Sequence, residues 1–163
     1  MILNLDIDNV CNADALPDKL EIEPWVSSAL VTDSSTRNEV ELSLRIVSIE
    51  EISALNSTYR SKEGPTNVLS FPFEFPPGFM PDDHPAILGD IVLCADIIVE
   101  EAALQQKPVN AHWAHIIIHG TLHLLGYDHL DETDAKIMED LEIKLLARFN
   151  FPNPYISHES LTL

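Results

Sequence analysis

The chain reads as an α+β protein, a mixed α/β single domain in which a small four-stranded sheet packs with about five helices. Three observations carry this reading. Four short runs have strand character, and two of them alternate apolar and polar residues. The runs between and after them carry helical spacing and capping residues. No repeat or low-complexity linker divides the 163 residues, so one domain spanning 1–163 is expected, with a fraying tail from about residue 151.

Leu3, Leu5 and Ile7 alternate with polar neighbours, the period of a half-buried strand. Pro17 and Pro24 bracket a turn, and a helix is expected over Trp25 to Val31. Val40, Leu42, Leu44 and Ile46 share one face of a second strand ending at Val47. Ser48 stands three residues before Glu51, a capping box, and opens a helix to about Tyr59. After the Gly64-Pro65 turn, Thr66 to Phe71 is a short strand stopped by Pro72. Residues 72 to 86 hold five prolines and a glycine and form an irregular loop. Leu88 to Ala95 is a buried strand. Asp96 is expected to cap a helix to about Gln106. Pro108 starts the next helix, which stops at Gly126. Asp131 or Thr133 caps a last one to about Arg148.

Composition narrows the function. Nine Lys and Arg stand against 27 Asp and Glu, for a net charge of −18. Phosphate binding needs a basic surface, so the total counts against a nucleic-acid partner. The sum is global, however. Arg37, Arg45, Arg60 and Lys62 fall in one stretch of 26 residues, which permits a local basic groove. No apolar run approaches a membrane span. The first residues show no secretory signal, and Cys11 and Cys94 sit in no metal-like or redox-like spacing. They read as free thiols of a cytoplasmic protein. His84 and His158 read as solvated.

The segment His-Gly-Thr-Leu-His-Leu-Leu-Gly-Tyr-Asp-His carries the chemistry. His119 and His123 lie four apart on the predicted helix and share a face. Gly126 lets the chain leave the helix in a left-handed conformation, which returns His129 to the same point. Three imidazoles give zinc three ligands and leave a fourth position for water, the mark of a catalytic site. Nickel or another divalent ion also suits three imidazoles. The spacing equals that of the metzincin proteases, but those have Glu after the first histidine as general base. Here that residue is Gly120, so the cage is present and the peptidase base is missing.

His112 and His115 continue the same helical face. His115 either touches substrate or supports the ligands, or it is a core histidine bonded to backbone. Asp128 orients a ligand, acts on the water, or caps its turn. Met138, spaced helically from Leu141 and Leu145, reads as core.

The run from His119 to His129 resembles the signature of the bacterial YbeY family, rRNA maturation factors and single-strand-specific endoribonucleases. Leu55-Asn56-x-x-Tyr59-Arg60, Pro65-Thr66-Asn67-Val68-Leu69-Ser70-Phe71-Pro72 and Leu88-Gly89-Asp90-Ile91 resemble further family motifs, in order and spacing from about residue 40 to 130. The resemblance implies a zinc helix packed against a small mixed sheet, with zinc on His119, His123 and His129. It implies a functional arginine at Arg60, whose guanidinium near zinc would clamp phosphate oxygens. It further implies single-stranded RNA as substrate, processing of the 3′ end of 16S rRNA, ribosome quality control, and the ribosome and its proteins as partners. Asn67, where the family has Asp or Asn, cannot serve as a base. The base is unassigned, with Asp128 and His115 as candidates to assist. The rival readings are a metzincin-type metalloprotease and a non-catalytic ribosome assembly factor with structural metal.

Overall fold

The computed structural model describes residues 1–33, 38–74, 77–78 and 86–156. In chain order the elements are β1 (Ile2–Asn9), α1 (Lys19–Leu30), β2 (Glu39–Val47), α2 (Ile49–Arg60), β3 (Val68–Pro72), β4 (Ala86–Cys94), α3 (Ala95–Leu104), α4 (Val109–Leu124) and α5 (Glu132–Ala147). The four strands form one sheet in the order β1-β2-β4-β3. β1 and β4 both run parallel to β2, and β3 closes the edge antiparallel to β4. The mixed four-stranded sheet with five helices is therefore as the sequence predicts.

β3 and β4 begin at Val68 and Ala86 rather than at Thr66 and Leu88, and two helix starts also differ from the sequence expectation. The first helix begins at Lys19, not Trp25, because Asp18 caps it and accepts from the Glu21 N–H at 2.9 Å. Pro24 lies inside this helix rather than at a turn. The carbonyl it leaves without an N–H donor belongs to Leu20, a residue that is 82% exposed. Asp96 is not a cap either: α3 follows β4 without a loop, Cys94 holds the cap position without a side-chain bond, and Asp96 sits in the first turn. The other caps hold. Ser48 accepts from Glu51 N–H, and Asp131, not Thr133, accepts from Asp134 N–H.

Alternation along the strands sends apolar side chains to both faces of the sheet. Leu5, Leu42, Leu44, Ile91 and Leu93 join Trp25, Val26 and Leu30 of α1, Trp113, Ile117 and Ile118 of α4, and Met138 and Leu145 of α5. Each such Leu or Ile stabilises the fold by roughly 1.5–3 kcal/mol. On the opposite face a smaller cluster of Val47, Leu69, Val92 and Cys94 packs on Ile52 of α2. Cys11 is exposed and Cys94 buried, and both are free thiols.

α4 is the central helix, and Gly120 lets it lie directly on the sheet. A Cβ there would meet Ile91 Cγ2 at 3.0 Å, and Ser70 Oγ and Val68 Cγ2 at 3.3 Å. The Ser70 hydroxyl donates to the Gly120 carbonyl at 2.9 Å, fixing the helix against β3. Of the segment 151–163 expected to fray, residues 151–156 contact the body. Phe151 packs edge-on against Trp25, Lys107 Nζ donates to the Pro154 carbonyl, and Tyr155 reaches α5. Residues 157–163, with His158, and the part of the proline-rich loop holding His84 lie outside the described residues. Among the described residues no helix is long and apolar enough to cross a membrane.

Candidate metal centre

α4 ends as the sequence predicts. Gly126 adopts φ +102°, its N–H donates to the His123 carbonyl, and the Tyr127 N–H donates to that of Leu122. This pair of bonds satisfies two orphan carbonyls and swings His129 back over the last turn. One ligand atom from each of His119, His123 and His129 then lies within 4.8 Å of the others.

Two details fit this trio to a zinc-like ion. First, the Nε2 atoms of His119 and His123 stand 3.1 Å apart. Two nitrogens bound tetrahedrally to zinc at 2.0–2.1 Å are about 3.4 Å apart, so a small adjustment suffices. Second, the Nδ1–H of His119 donates to Glu142 Oε1 at 3.0 Å. That bond fixes the tautomer and leaves Nε2 with its lone pair toward the other imidazoles. His123 is held neutral: burial, with the neighbouring His119 and His129, pushes its pKa down to about 4. A neutral imidazole is the form that binds metal.

Glu142 is the residue that sequence reasoning missed. It is fully buried on α5, where its position four after Met138 belongs to the apolar stripe. A carboxylate on such a stripe was the available signal. It accepts from His115 Nε2 and His119 Nδ1 at 3.0 Å and from the Tyr155 hydroxyl at 2.7 Å. Burial alone would raise its pKa, but the bonds from the two histidines outweigh this and hold it down to about 2. Burial and the Glu142 charge together raise that of Tyr155.

The imidazoles open into a groove of about 440 Å³ that is also lined by Arg60, Lys62, Asn67 and Asp128. Arg60 is set there by its position at the end of α2 and by donation from Nη2 to the Ser70 carbonyl at 2.9 Å. Ser70 thus holds both Arg60, through its backbone, and α4, through its hydroxyl. Of the basic stretch noted in the sequence, Arg60 and Lys62 line the groove. Arg45 is paired with Glu51 at 3.6 Å, and Arg37 lies outside the described residues. Asp128 Oδ1 accepts the His129 backbone N–H at 2.7 Å, which caps the turn that presents His129.

His115 is placed differently. It lies behind Glu142, where its partners are a carboxylate and the Tyr155 hydroxyl rather than backbone, and it lines a neighbouring cleft. Asn67 donates to both oxygens of Glu101, at 3.0 and 3.3 Å. Glu101 also accepts from His112 Nε2, a pairing that the sequence did not signal.

The family model described as Endoribonuclease YbeY matches residues 6–150. The chain is also similar to the solution structure of TM1509 from Thermotoga maritima. The two are 24% identical with a TM-score of 0.56, over 91% of this chain and 93% of that one. At this identity the likeness concerns the fold.

Proposed function

The chain belongs to the YbeY endoribonuclease family, and from that premise we propose that it is a zinc-dependent, single-strand-specific endoribonuclease. Its role in this reading is rRNA maturation in the cytoplasm, at the 3′ end of 16S rRNA, and ribosome quality control. The observation that carries the reading is one groove holding three converging imidazoles beside Arg60 and Lys62. On a chain of net charge −18, two cations facing a metal centre are a local phosphate site.

Zinc held by His119, His123 and His129 would supply a bound water whose pKa falls to about 7; nickel is the other candidate ion. The chain's own residues do the rest. Arg60, tethered to the Ser70 carbonyl, presents its guanidinium to the phosphodiester oxygens and opposes the charge that develops on them. Lys62 adds a second positive charge to the strand's path. Asp128 holds the His129 turn and is the groove carboxylate available to take a proton. His115 acts at one remove, through Glu142.

Gly120 weighs against the metalloprotease alternative on steric grounds. A glutamate at that position would drive its side chain into Ile91, Ser70 and Val68 on the sheet.

The test is cleavage of a defined single-stranded RNA, with metal analysis of each protein. Wild type cleaves. His119→Ala loses both metal and cleavage. Arg60→Glu keeps the metal and loses cleavage. Full cleavage by metal-free His119→Ala sinks the proposal.

A further inference from the structure

The two oxygens of Glu142 are used differently. His115 Nε2 and His119 Nδ1 both stand 3.0 Å from Oε1. Oε2 takes the Tyr155 hydroxyl at 2.7 Å and has no other partner among the described residues. The last torsion of a glutamate side chain is soft, so covalent geometry alone does not fix the carboxylate plane. Two donors on one oxygen leave the plane free to swing about that oxygen. A third donor on the other oxygen removes this freedom and keeps Oε1 in line with His119 Nδ1. Glu142 is fully buried, so water offers Oε2 no substitute donor.

Tyr155 suits this bond better than it suits packing. The residue is 45% exposed and lines an open cleft of about 570 Å³. Its ring rests edge-on against His115, with centroids 5.4 Å apart. The segment that carries it is held by its own polar bonds. Asn153 Oδ1 accepts the Tyr155 N–H at 2.8 Å, and Lys107 Nζ donates to the Pro154 carbonyl at 2.7 Å. Pro152 and Pro154 restrict the backbone on either side of Asn153. Burial and the Glu142 bond raise the pKa of the phenol, so it stays protonated and remains a donor. Tyr155 is absent from the walls of the metal groove, so its effect on an ion there passes through Glu142.

We infer that Tyr155 is a positioning residue of the metal centre: its hydroxyl aims the Glu142 carboxylate at His119 and so holds that imidazole ready for the ion. The inference rests on the metal-dependent part of the proposed function and deepens it. The relay runs from the segment after α5, through Tyr155 and Glu142, to the Nδ1–H of His119. Its output is the free Nε2 of that ring, the atom that faces the other ligands.

Comparing wild type, Tyr155→Phe and Ile156→Ser as full chains tests this. Zinc affinity, read by competition with a chromophoric chelator, should fall roughly three- to tenfold in Tyr155→Phe, less than losing the carboxylate itself would cost. Long-range proton–nitrogen NMR spectra of the metal-free chains at about pH 8, where imidazoles are neutral, give the second readout. They should show His119 as the Nδ1–H tautomer in wild type and as a mixture of tautomers in Tyr155→Phe. Phenylalanine keeps the ring and its contact with His115, so the segment stays docked. Ile156→Ser, at the neighbouring exposed position, should match wild type in both readouts. Wild-type affinity in Tyr155→Phe, or a single Nδ1–H tautomer there, overturns the inference and leaves the metal-dependent reading intact. An equal loss of affinity in Ile156→Ser also overturns it, by assigning the effect to docking of the segment. A wild type that binds no zinc overturns the metal-dependent reading and this inference with it.

Discussion

His119 Nδ1 and Glu142 Oε1 lie 3.0 Å apart, joining the central helix to α5 through a carboxylate with no exposure to water. The bond decides which nitrogen of His119 faces the groove. Glu142→Gln should therefore weaken zinc binding by about 10–100-fold, the usual effect of losing a carboxylate behind a ligating histidine. Competition with a chromophoric chelator measures it. Wild-type affinity in this variant would show that Glu142 serves only packing.

Gly120→Ala should destabilise the fold by about 1–3 kcal/mol, because the added methyl overpacks a contact already at 3.0 Å from Ile91. The shift in urea midpoint reads this directly. Gly120→Glu should be less stable still and should show no casein digestion.

Acid should weaken the fold through His112. Burial pushes its pKa below the ordinary 6.5, against the opposing pull of the Glu101 bond and charge. His115 and Lys107 also face it and push in the same direction as burial. The unfolded chain therefore binds the proton more readily. The stability from the neutral ring is fully present above pH 6.5 and is lost as pH falls below it. Urea melts between pH 7.5 and 5 should show a smaller slope in His112→Gln than in wild type. Equal slopes would remove His112 from the account.

Stripping the metal should lower the melting temperature without unfolding the chain, since the sheet core forms without the imidazoles. A zinc concentration a thousandfold above Kd adds about 4 kcal/mol. At 2–4 °C per kcal/mol this is roughly 8–16 °C in a chain of this size. Calorimetry with and without chelator checks the shift. A chain that unfolds at room temperature on stripping would mark the metal as structural.

The ligand trio was legible because its geometry is local. His119 and His123 are related by one helical turn, and Gly126 marks the reversal that returns His129. Strands such as Val40 to Val47 were legible because alternation survives wherever one face is buried. Glu142, His112 and Tyr155 were not, because their roles depend on which helices meet, and no short-range pattern records that. Pro24 misled because it sits early in the helix, where the residue whose carbonyl it orphans, Leu20, is exposed. Arg60 was reached through family resemblance alone; its tie to Ser70 spans α2 and β3 and exists only in the folded chain.

The strand order has a temporal side. All four strands end by Cys94, and the ligand-bearing helix begins at Val109. A chain made from its N-terminus therefore has all four strands synthesised before either ligand histidine of α4. The partners of β2 come from residues about 37 and 46 positions away, so this pairing is slow compared with helix formation. α4 then packs Gly120 against Ile91, Val68 and Ser70 of that sheet. Glu142, made later, closes over the back of His119. The candidate metal site can therefore come together only after all four strands have been made.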